Sequence, residues 1–240
     1  MDKLFEMKYD LRTSDFDKFN HIKPASVLDL FQDAAGRHAE EIGVGFEAMK
    51  ELSYFWVLIK IKFQVVSQPS FQQKVIVKTW PLAPSKFIYR REYIIENENG
   101  DKLIVGSSEW VVVNGERRRL VSAPDLYPFS DGFYPVINFE EKLDKVEDFE
   151  TNASSYSVTP GFSELDVNNH VNNTKYANFV FDAINPEEAF DIDVFQIDYR
   201  KEVLEGTHLH LYHTREENEI LAKGINNDGD IMFACMLKYK

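Results

Sequence analysis

The most informative pattern of apolar and polar positions lies at residues 163–184, in the stretch SELDVNNHVNNTKYANFVFDAI. Apolar residues recur there at the i, i+3, i+4 and i+7 spacing of one helical face, at Tyr176, Phe179, Val180 and Ala183. Six polar residues occupy the eight positions from 166 to 173, directly before that face. The pattern therefore predicts a helix that begins next to a polar, Asn-rich loop.

The polar residues of this loop suit a structural role and a chemical one. Asn172 or Asn173 can cap the first helical turn, and Asn and Asp also favour turns for purely structural reasons. Backbone amides at a helix N-terminus favour developing negative charge. The loop is therefore also a candidate site for an oxyanion near Asn172 and Asn173.

The same pattern occurs once before, 149 residues earlier in the chain. His21 corresponds to His170 at this offset, and Asp17 corresponds to Asp166. The apolar face repeats at the same spacing, at Val27, Leu30, Phe31 and Ala34. Such a repeat predicts two halves of one fold.

The two copies differ at the positions that carry the amides. Asn168, Asn172 and Asn173 have no counterparts in the first copy, where the corresponding residues are Phe19, Lys23 and Pro24. We therefore place the chemistry in the second copy. Asp17 and His21 are expected to be a turn carboxylate and a hydrogen-bonded imidazole.

Each half is predicted to continue from its helix into strands. The first helix is expected at about residues 25–42, ending at Gly43 and Gly45. Segments rich in β-branched and aromatic residues then predict strands at residues 54–66, 74–80, 87–96 and 103–113. The second half repeats the arrangement, with strands at residues 195–204, 208–216, 219–226 and 230–239.

These elements predict an α+β fold of two helices, each wrapped by a long antiparallel sheet, with the two sheets joined side by side. We expect an N-terminal domain at residues 1–130, a linker at residues 131–150 and a C-terminal domain at residues 151–240.

Charge and composition limit the class of function. The chain of 240 residues has a formal net charge of −13, whereas binding to nucleic-acid phosphates needs a basic face. Its start lacks a basic region followed by an apolar one, and no apolar stretch has membrane-spanning length. Its one cysteine, Cys235, cannot form an internal disulfide. We expect a cytoplasmic protein with no nucleic-acid partner and no membrane insertion.

One acidic residue of the second half replaces an apolar residue of the first. Alignment of the strands at an offset of 136 residues places Glu202 at the position of Val66. Strand alternation then predicts Arg200 and Glu202 on one face. A solvated strand end would also explain this carboxylate, but it occurs in the copy that carries the amides, so Glu202 joins the candidate site.

Several separated motifs extend over nearly the whole chain. They are FSELDVNNHVNNTKY at residues 162–176, YRKE at 199–202, SSEWV at 107–111 and RRRL at 117–120. Together they resemble the acyl-ACP thioesterases, which release fatty acids from acyl carrier protein (ACP). The resemblance implies two hotdog domains in tandem and hydrolysis of fatty acyl-ACP to free fatty acid and ACP, ending fatty acid synthesis without a metal or cofactor. The catalytic residues that it implies are Asp166, Asn168, His170 and Glu202.

The sequence departs from the plant members in two ways. Val203 follows Glu202 where many plant members have a cysteine, so a covalent cysteine mechanism is excluded at this position. Plant members also carry a plastid transit peptide that this sequence lacks. The resemblance is therefore closer to the bacterial branch, whose members act in the cytoplasm.

Thioester hydrolysis needs an activated water and a stabilised oxyanion. Glu202 and Asn168, with or without His170, are expected to hold and deprotonate the water. Asp166 is expected to orient His170 or Asn168 and to tune the imidazole. The identity of the general base stays open.

An acyl-ACP substrate also needs an apolar slot and a docking surface. The residues expected to line the slot, although they suit a core equally well, are Trp56, Val57, Ile59 and Ile61. ACP is acidic, so its docking is expected to need a local basic patch. The candidates are Arg90, Arg91, Arg117, Arg118, Arg119, Lys175 and Arg200. The sequence leaves open whether the protein is a homodimer.

Other classes of function remain as alternatives. His208 and His210 share a strand face, but alternation turns His213 to the opposite face and no adjacent carboxylate completes a metal site. Hydration or dehydration of a 3-hydroxyacyl thioester is compatible with the same fold. A non-catalytic acyl-thioester binding protein is the third alternative.

Overall fold

The structure is a computed structural model that describes residues 2–123, 125–151 and 153–240. Contacts within the chain define two compact units. The first comprises Asp29–Leu143 together with the chain up to Thr13, and the second comprises Ser14–Leu28 and Asp144–Lys240. The first copy of the polar loop thus belongs to the second unit.

The first unit is built on one antiparallel sheet, in the strand order β1-β3-β4-β5-β2, with β6 paired to β5. Helix α1 begins in the second unit and continues into the first. The elements in chain order are β1 (Phe5–Asp10), α1 (Pro24–Glu41), α2 (Phe46–Glu51), β2 (Tyr54–Val65), β3 (Lys74–Pro81), β4 (Tyr89–Asn97), β5 (Lys102–Asn114) and β6 (Arg119–Val121).

Helix α1 packs against the sheet of the first unit through Phe31. The ring of Phe31 stacks on Tyr93 of β4 with 4.3 Å between ring centroids. A Cβ atom at Gly106 of β5 would lie 2.3 Å from the Phe31 ring, so this close approach requires glycine. The predicted apolar face of the helix is buried as expected.

The second unit repeats this arrangement. Its antiparallel sheet has the order β8-β11-β10-β9-β7. Its helix α3 packs on the sheet with the Tyr176 and Phe233 centroids 5.0 Å apart. The elements are β7 (Tyr156–Val158), α3 (Lys175–Ile184), β8 (Ile192–Tyr199), β9 (Leu209–Glu216), β10 (Glu219–Asn226) and β11 (Ile231–Tyr239). Both units therefore have the predicted α+β arrangement of a helix on a long antiparallel sheet.

The predicted strands are confirmed, but one strand end is corrected where it matters for the site. Strand β8 ends at Tyr199, five residues before the predicted end, and the amides of Arg200 and Lys201 both donate to the carbonyl of Met232 at 2.9 and 3.0 Å. Two successive amides on one carbonyl end the regular ladder. The prediction that strand alternation places Arg200 and Glu202 on one face is therefore wrong.

Two polar side chains, Asn138 and Asp198, hold parts of the expected linker. In the first unit, the amide nitrogen of the Asn138 side chain donates to the carbonyls of Tyr93 and Gly106 at 2.8 and 2.9 Å. In the second unit, the buried carboxylate of Asp198 accepts the amide of Val146 at 2.7 Å.

Of the helices in the described part of the chain, none is long and apolar enough to span a membrane.

Candidate active site

The polar loop before α3 is a turn closed by the carboxylate of Asp166. Its Oδ1 accepts the backbone amides of Asn168 at 2.8 Å and His170 at 3.2 Å. Asn169 lies at the tip with a φ of 60°, a conformation that asparagine tolerates better than most residues. Asp166 thus orients His170 through the backbone amide of that residue.

The first copy of the loop forms the same turn. Oδ1 of Asp17 accepts the amides of Phe19 at 2.8 Å and His21 at 2.9 Å, and Asn20 has a φ of 66°. Nδ1 of His21 lies 3.0 Å from the carbonyl oxygen of Phe190. The predicted roles of Asp17 and His21, a turn carboxylate and a hydrogen-bonded imidazole, are confirmed.

Two backbone contacts bring Glu202 next to His170. The amide of Val171 donates to the carbonyl of Val203 at 2.9 Å, and His170 pairs with Leu204 in an isolated antiparallel bridge. Nε2 of His170 consequently lies 3.6 Å from Oε2 of Glu202, with side chains that are 36% and 62% exposed. The structure thus assembles a solvent-accessible acid–imidazole pair from two loops, although the predicted strand at Glu202 is absent.

A buried tyrosine lies close to both carboxylates of the site. Burial raises the pKa of Tyr176, the negative charges of Asp166 and Glu202 raise it further, and a hydrogen bond with the backbone of Val203 opposes the rise. Tyr176 packs edge-on against Tyr199, with 5.2 Å between the ring centroids. The phenol therefore stays neutral at physiological pH.

Tyr199 connects this aromatic pair to the polar loop, because its hydroxyl donates to the carbonyl of Asn173 at 2.7 Å. Sequence reasoning assigned Tyr176 only to the buried helix face. The available signal was a hydroxyl group in an otherwise apolar face, three residues after the Asn-rich loop.

The amides at the start of α3 are almost all engaged. Thr174, rather than Asn172 or Asn173, occupies the cap position, and Oδ1 of Asn172 accepts both the amide and the hydroxyl of Thr174 at 3.0 Å. Between residues 171 and 175, the amides with an acceptor in the protein are those of Val171, Asn172, Thr174 and Lys175. The amide of Asn173 forms no hydrogen bond to another described residue, which makes it a candidate donor to an oxyanion.

The remaining catalytic candidate, Asn168, is exposed on the Asp166 turn. Lys175 is half-buried at the start of α3. Its charge helps to lower the pKa of Glu164, after the amide of Gly161 and the hydroxyl of Ser163. Arg200 donates from Nη2 to the carbonyl of Val146 at 3.1 Å, so this guanidinium is held by the segment that follows the first unit.

Two of the proposed docking arginines do not lie on an open surface. Arg91 is buried, and its Nη1 contacts Nδ1 of His38 at 3.0 Å and Oγ1 of Thr79 at 3.3 Å. Arg90 donates to Ser107 at 2.8 Å and to carbonyls of residues 139 and 141. We therefore remove Arg90 and Arg91 from the predicted docking surface. The exposed candidates of the first unit are Arg117, Arg118 and Arg119.

The expected slot residues lie on β2 of the first unit. The indole of Trp56 donates to the carbonyl of Val44 at 2.9 Å and packs edge-on against Tyr89. Ile61 is buried, while Val57 and Ile59 are half-buried. These are positions of core residues, and a role in binding an acyl chain stays a prediction.

The chain contains two copies of a helix packed on a long antiparallel sheet, and one of them carries the polar site residues. This arrangement defines the chain as a tandem hotdog protein. The chain belongs to the acyl-ACP thioesterase family, because it matches the N-terminal domain of that family over residues 2–127 and the C-terminal domain over residues 147–239.

Individual relatives agree with this assignment. The chain is 28% identical over 214 residues to the acyl-[acyl-carrier-protein] hydrolase FATB2, chloroplastic, of Cuphea viscosissima, covering 83% of this chain and 52% of the relative. The chain thus spans about half the length of the curated relatives it matches.

Two solved structures share the fold over nearly their whole length. An acyl-ACP thioesterase of Bacteroides thetaiotaomicron superposes with a TM-score of 0.87 at 20% identity, covering 99% of this chain and 98% of the other. The 12:0-ACP thioesterase of Umbellularia californica gives 0.88 at 22% identity, covering 100% and 98%.

Proposed function

We propose that this protein hydrolyses the thioester of fatty acyl-ACP and releases a free fatty acid and holo-ACP, ending fatty acid synthesis. The observation that carries the proposal is the pair formed by His170 and Glu202, 3.6 Å apart, in the copy that also carries the amides. Membership of the acyl-ACP thioesterase family over both halves supports it. The names of the relatives, which are hydrolases and thioesterases of acyl-ACP, support an ACP-bound substrate.

The nucleophile in this proposal is a water molecule bound beside the two side chains. The separation of 3.6 Å between Nε2 of His170 and Oε2 of Glu202 is longer than a direct hydrogen bond, and a water beside the pair can hydrogen-bond to both groups. Glu202 accepts a proton from this water while His170 and the side-chain amide of Asn168 hold it in place. The water oxygen bonds to the carbonyl carbon, the carbon–sulfur bond breaks, and the proton passes to the departing thiolate.

The oxyanion of the tetrahedral intermediate is received at the start of α3. The amide of Asn173 is the candidate donor there, and the N-terminal end of a helix carries partial positive charge. Tyr199 fixes the carbonyl of the same residue at 2.7 Å, which limits rotation of that part of the loop. Because a thiolate is a good leaving group, a carboxylate base is sufficient for the reaction.

The test is release of free thiol from a panel of acyl-ACPs of different chain lengths, with the same acyl-CoAs measured alongside. Replacement Glu202→Gln removes the base, so kcat on acyl-ACP should fall about 100-fold or more. Glu205→Gln, in the same exposed loop, serves as the matched control and should keep wild-type activity. Circular dichroism establishes that both variants are folded.

Two results would contradict the proposal. Wild-type activity in a folded Glu202→Gln protein would remove Glu202 as the base. Binding of acyl-ACP without thiol release would instead favour a non-catalytic carrier or dehydration of a 3-hydroxyacyl thioester. Acyl-chain preference is reported by the same panel. The cytoplasmic location stays a prediction, and the homodimer stays an alternative that sedimentation would test.

A further inference from the structure

Three apolar side chains are strongly exposed around the candidate active site. Phe162 is 88% exposed, Val167 is 81% exposed and Leu204 is 51% exposed. Scattered apolar residues on a surface need no explanation, but a group of them beside a polar site is typical of a contact surface. We call Phe162, Val167 and Leu204 the apolar ridge.

Backbone hydrogen bonds hold the three parts of the ridge together. Phe162 lies in a short 3-10 helix (Phe162–Glu164), whose Glu164 carbonyl accepts the amide of Asn172 at 2.8 Å. The loop of Leu204 is joined to the same region, because the amide of Gly206 donates to the carbonyl of Pro160 at 2.9 Å. The ridge is therefore a property of the folded loops rather than of a loose segment.

The ridge also borders the acid–imidazole pair directly. Val167 lies between Asp166 and Asn168 on the turn, and Leu204 is bridged to His170 through the backbone. The arm of a carrier that delivers a thioester to Glu202 therefore enters beside these loops.

The first copy of the loop shows that the turn itself does not require apolar residues. The positions that correspond to Phe162 and Val167 are Thr13 and Lys18, and both are exposed. The backbone hydrogen bonds of the two turns are nevertheless the same. The exposed apolar side chains accordingly accompany the catalytic residues and not the fold.

We propose that the apolar ridge is the surface on which the carrier protein docks, through an apolar patch beside its thioester arm. This inference rests on the proposed function. The chain has a net charge of −13, so an acidic carrier is repelled over long range. Burial of apolar surface supplies affinity without requiring opposite charges, and two of the arginines that could have formed a basic patch are engaged inside the protein.

The first test compares two substrates in the same enzyme preparation. Phe162→Ser, Val167→Ser and the triple variant with Leu204→Ser are assayed with acyl-ACP and with acyl-pantetheine of the same chain. The ratio of kcat/KM for acyl-ACP to that for acyl-pantetheine should fall about five-fold for Phe162→Ser, and further for the triple variant. Because both substrates meet the same preparation, any loss of folded enzyme cancels in the ratio.

Leu52→Ser is the matched control, since Leu52 is 55% exposed but belongs to the first unit. This variant should leave the ratio unchanged. An unchanged ratio in the ridge variants, whether or not the activity on both substrates falls together, would overturn the proposal.

The second test measures binding without hydrolysis, using fluorescently labelled ACP that carries its acyl chain through a stable amide. Fluorescence anisotropy should show weaker binding to the ridge variants, and added salt should not weaken binding to the wild type because the contact is apolar. Binding that falls steeply with salt and ignores the ridge variants would overturn the proposal in favour of a basic dock.

The two tests also separate failure of the inference from failure of the proposed function. If the wild-type protein hydrolyses neither substrate, the proposed hydrolysis is contradicted. If the wild type nevertheless binds ACP and the Phe162→Ser variant binds it more weakly, the docking surface is supported. Sedimentation tests whether a second copy of this chain contacts the ridge instead. A dimeric wild type and a monomeric triple variant would assign the ridge to that second copy and overturn the proposal.

Discussion

Asp17 and Asp166 occupy equivalent positions in the two copies of the polar loop, so their roles can be compared within one protein. Each carboxylate accepts two backbone amides and closes one turn. Of the two, only Asp166 closes a turn whose imidazole lies next to a carboxylate, that of Glu202, and which carries the exposed Asn168. Structural and catalytic contributions of the carboxylate can therefore be separated within one protein.

Replacement of either aspartate by alanine should cost about 1–2 kcal/mol of stability, because each leaves backbone amides of its turn without their acceptor. Hydrolysis of acyl-ACP should fall strongly only in Asp166→Ala. Urea unfolding and thiol release on both variants make the comparison. Equal losses of activity would indicate that the turn acts through stability alone.

His38 is a buried imidazole whose protonation opposes folding. Its Nε2 lies 3.0 Å from the carbonyl oxygen of Asp2, and Nη1 of Arg91 lies 3.0 Å from its Nδ1. Burial, followed by the positive charge of Arg91, lowers the pKa of His38 to about 4. An unfolded histidine has a pKa of about 6.5, so between these values the unfolded state binds more protons.

The free energy of unfolding should therefore decrease as the pH falls through this window, with a contribution from His38 on the order of 2 kcal/mol. His38→Gln keeps a polar side chain but cannot titrate, so its stability should depend less on pH. Urea titrations of both proteins at about pH 7 and about pH 4.5 measure the difference. Parallel pH dependence in wild type and variant would show that other groups are responsible.

At the scale of elements, the segment after β6 is anchored by polar groups inside the first unit. The buried carboxylate of Glu92 accepts the Ser107 hydroxyl at 2.7 Å and the amide of Asn138 at 2.8 Å. Burial raises the pKa of Glu92, while Ser107, Arg90 and Asn138 oppose the rise. Asn138 therefore connects a carboxylate to the carbonyls of two paired strands.

Asn138→Ala should destabilise the protein by about 1–3 kcal/mol, because it removes two hydrogen bonds to buried carbonyls. The amides of residues 134–143 should lose protection against hydrogen exchange more than those of β4. Asn99→Ala, in the exposed turn after β4, is the control and should change neither quantity. Unchanged protection at residues 134–143 would mean that other contacts hold the segment.

An element could be predicted from the sequence where the interactions that determine it involve residues close together in the chain. Helix α1 and the strands from β2 to β5 were predicted because apolar spacing and turn residues are local signals. The end of β8 was missed because it depends on a distant carbonyl, that of Met232, which accepts two successive amides.

The candidate site shows the same limit. Placing Glu202 with His170 was possible because the acid and the amides occur in the same copy of the repeat, although the reasoning from strand alternation was wrong. The burial of Arg91 was not predictable, because nearly every residue of β4 is buried and alternation carries no signal there. Its contact with His38 joins residues that are distant in sequence.

At the scale of the whole molecule, the boundary between the two compact units does not follow the boundary between the two repeats. Residues 14–28 belong to the second unit, although they come from the first half of the sequence. His21 exemplifies this, because its imidazole contacts the carbonyl of Phe190. A cut between Leu143 and Asp144 therefore removes part of the second unit.

A fragment of residues 144–240 should not unfold cooperatively, since it lacks residues 14–28 and exposes the apolar surface that they cover. Calorimetry and circular dichroism of the fragment beside the full chain provide the measurement. Mixing with a peptide of residues 14–28 should restore part of the transition. A sharp transition in the fragment alone would show that these residues contribute little.

The presence of both turns in one polypeptide has a consequence for how such a site can change through mutation. In an assembly of two identical chains, one codon change alters both turns at once. Here each turn has its own codons, so Phe19, Lys23 and Pro24 could replace amides in one turn while the other kept them. Selection for activity should consequently tolerate more substitutions at Phe19, Lys23 and Pro24 than at Asn168, Asn172 and Asn173.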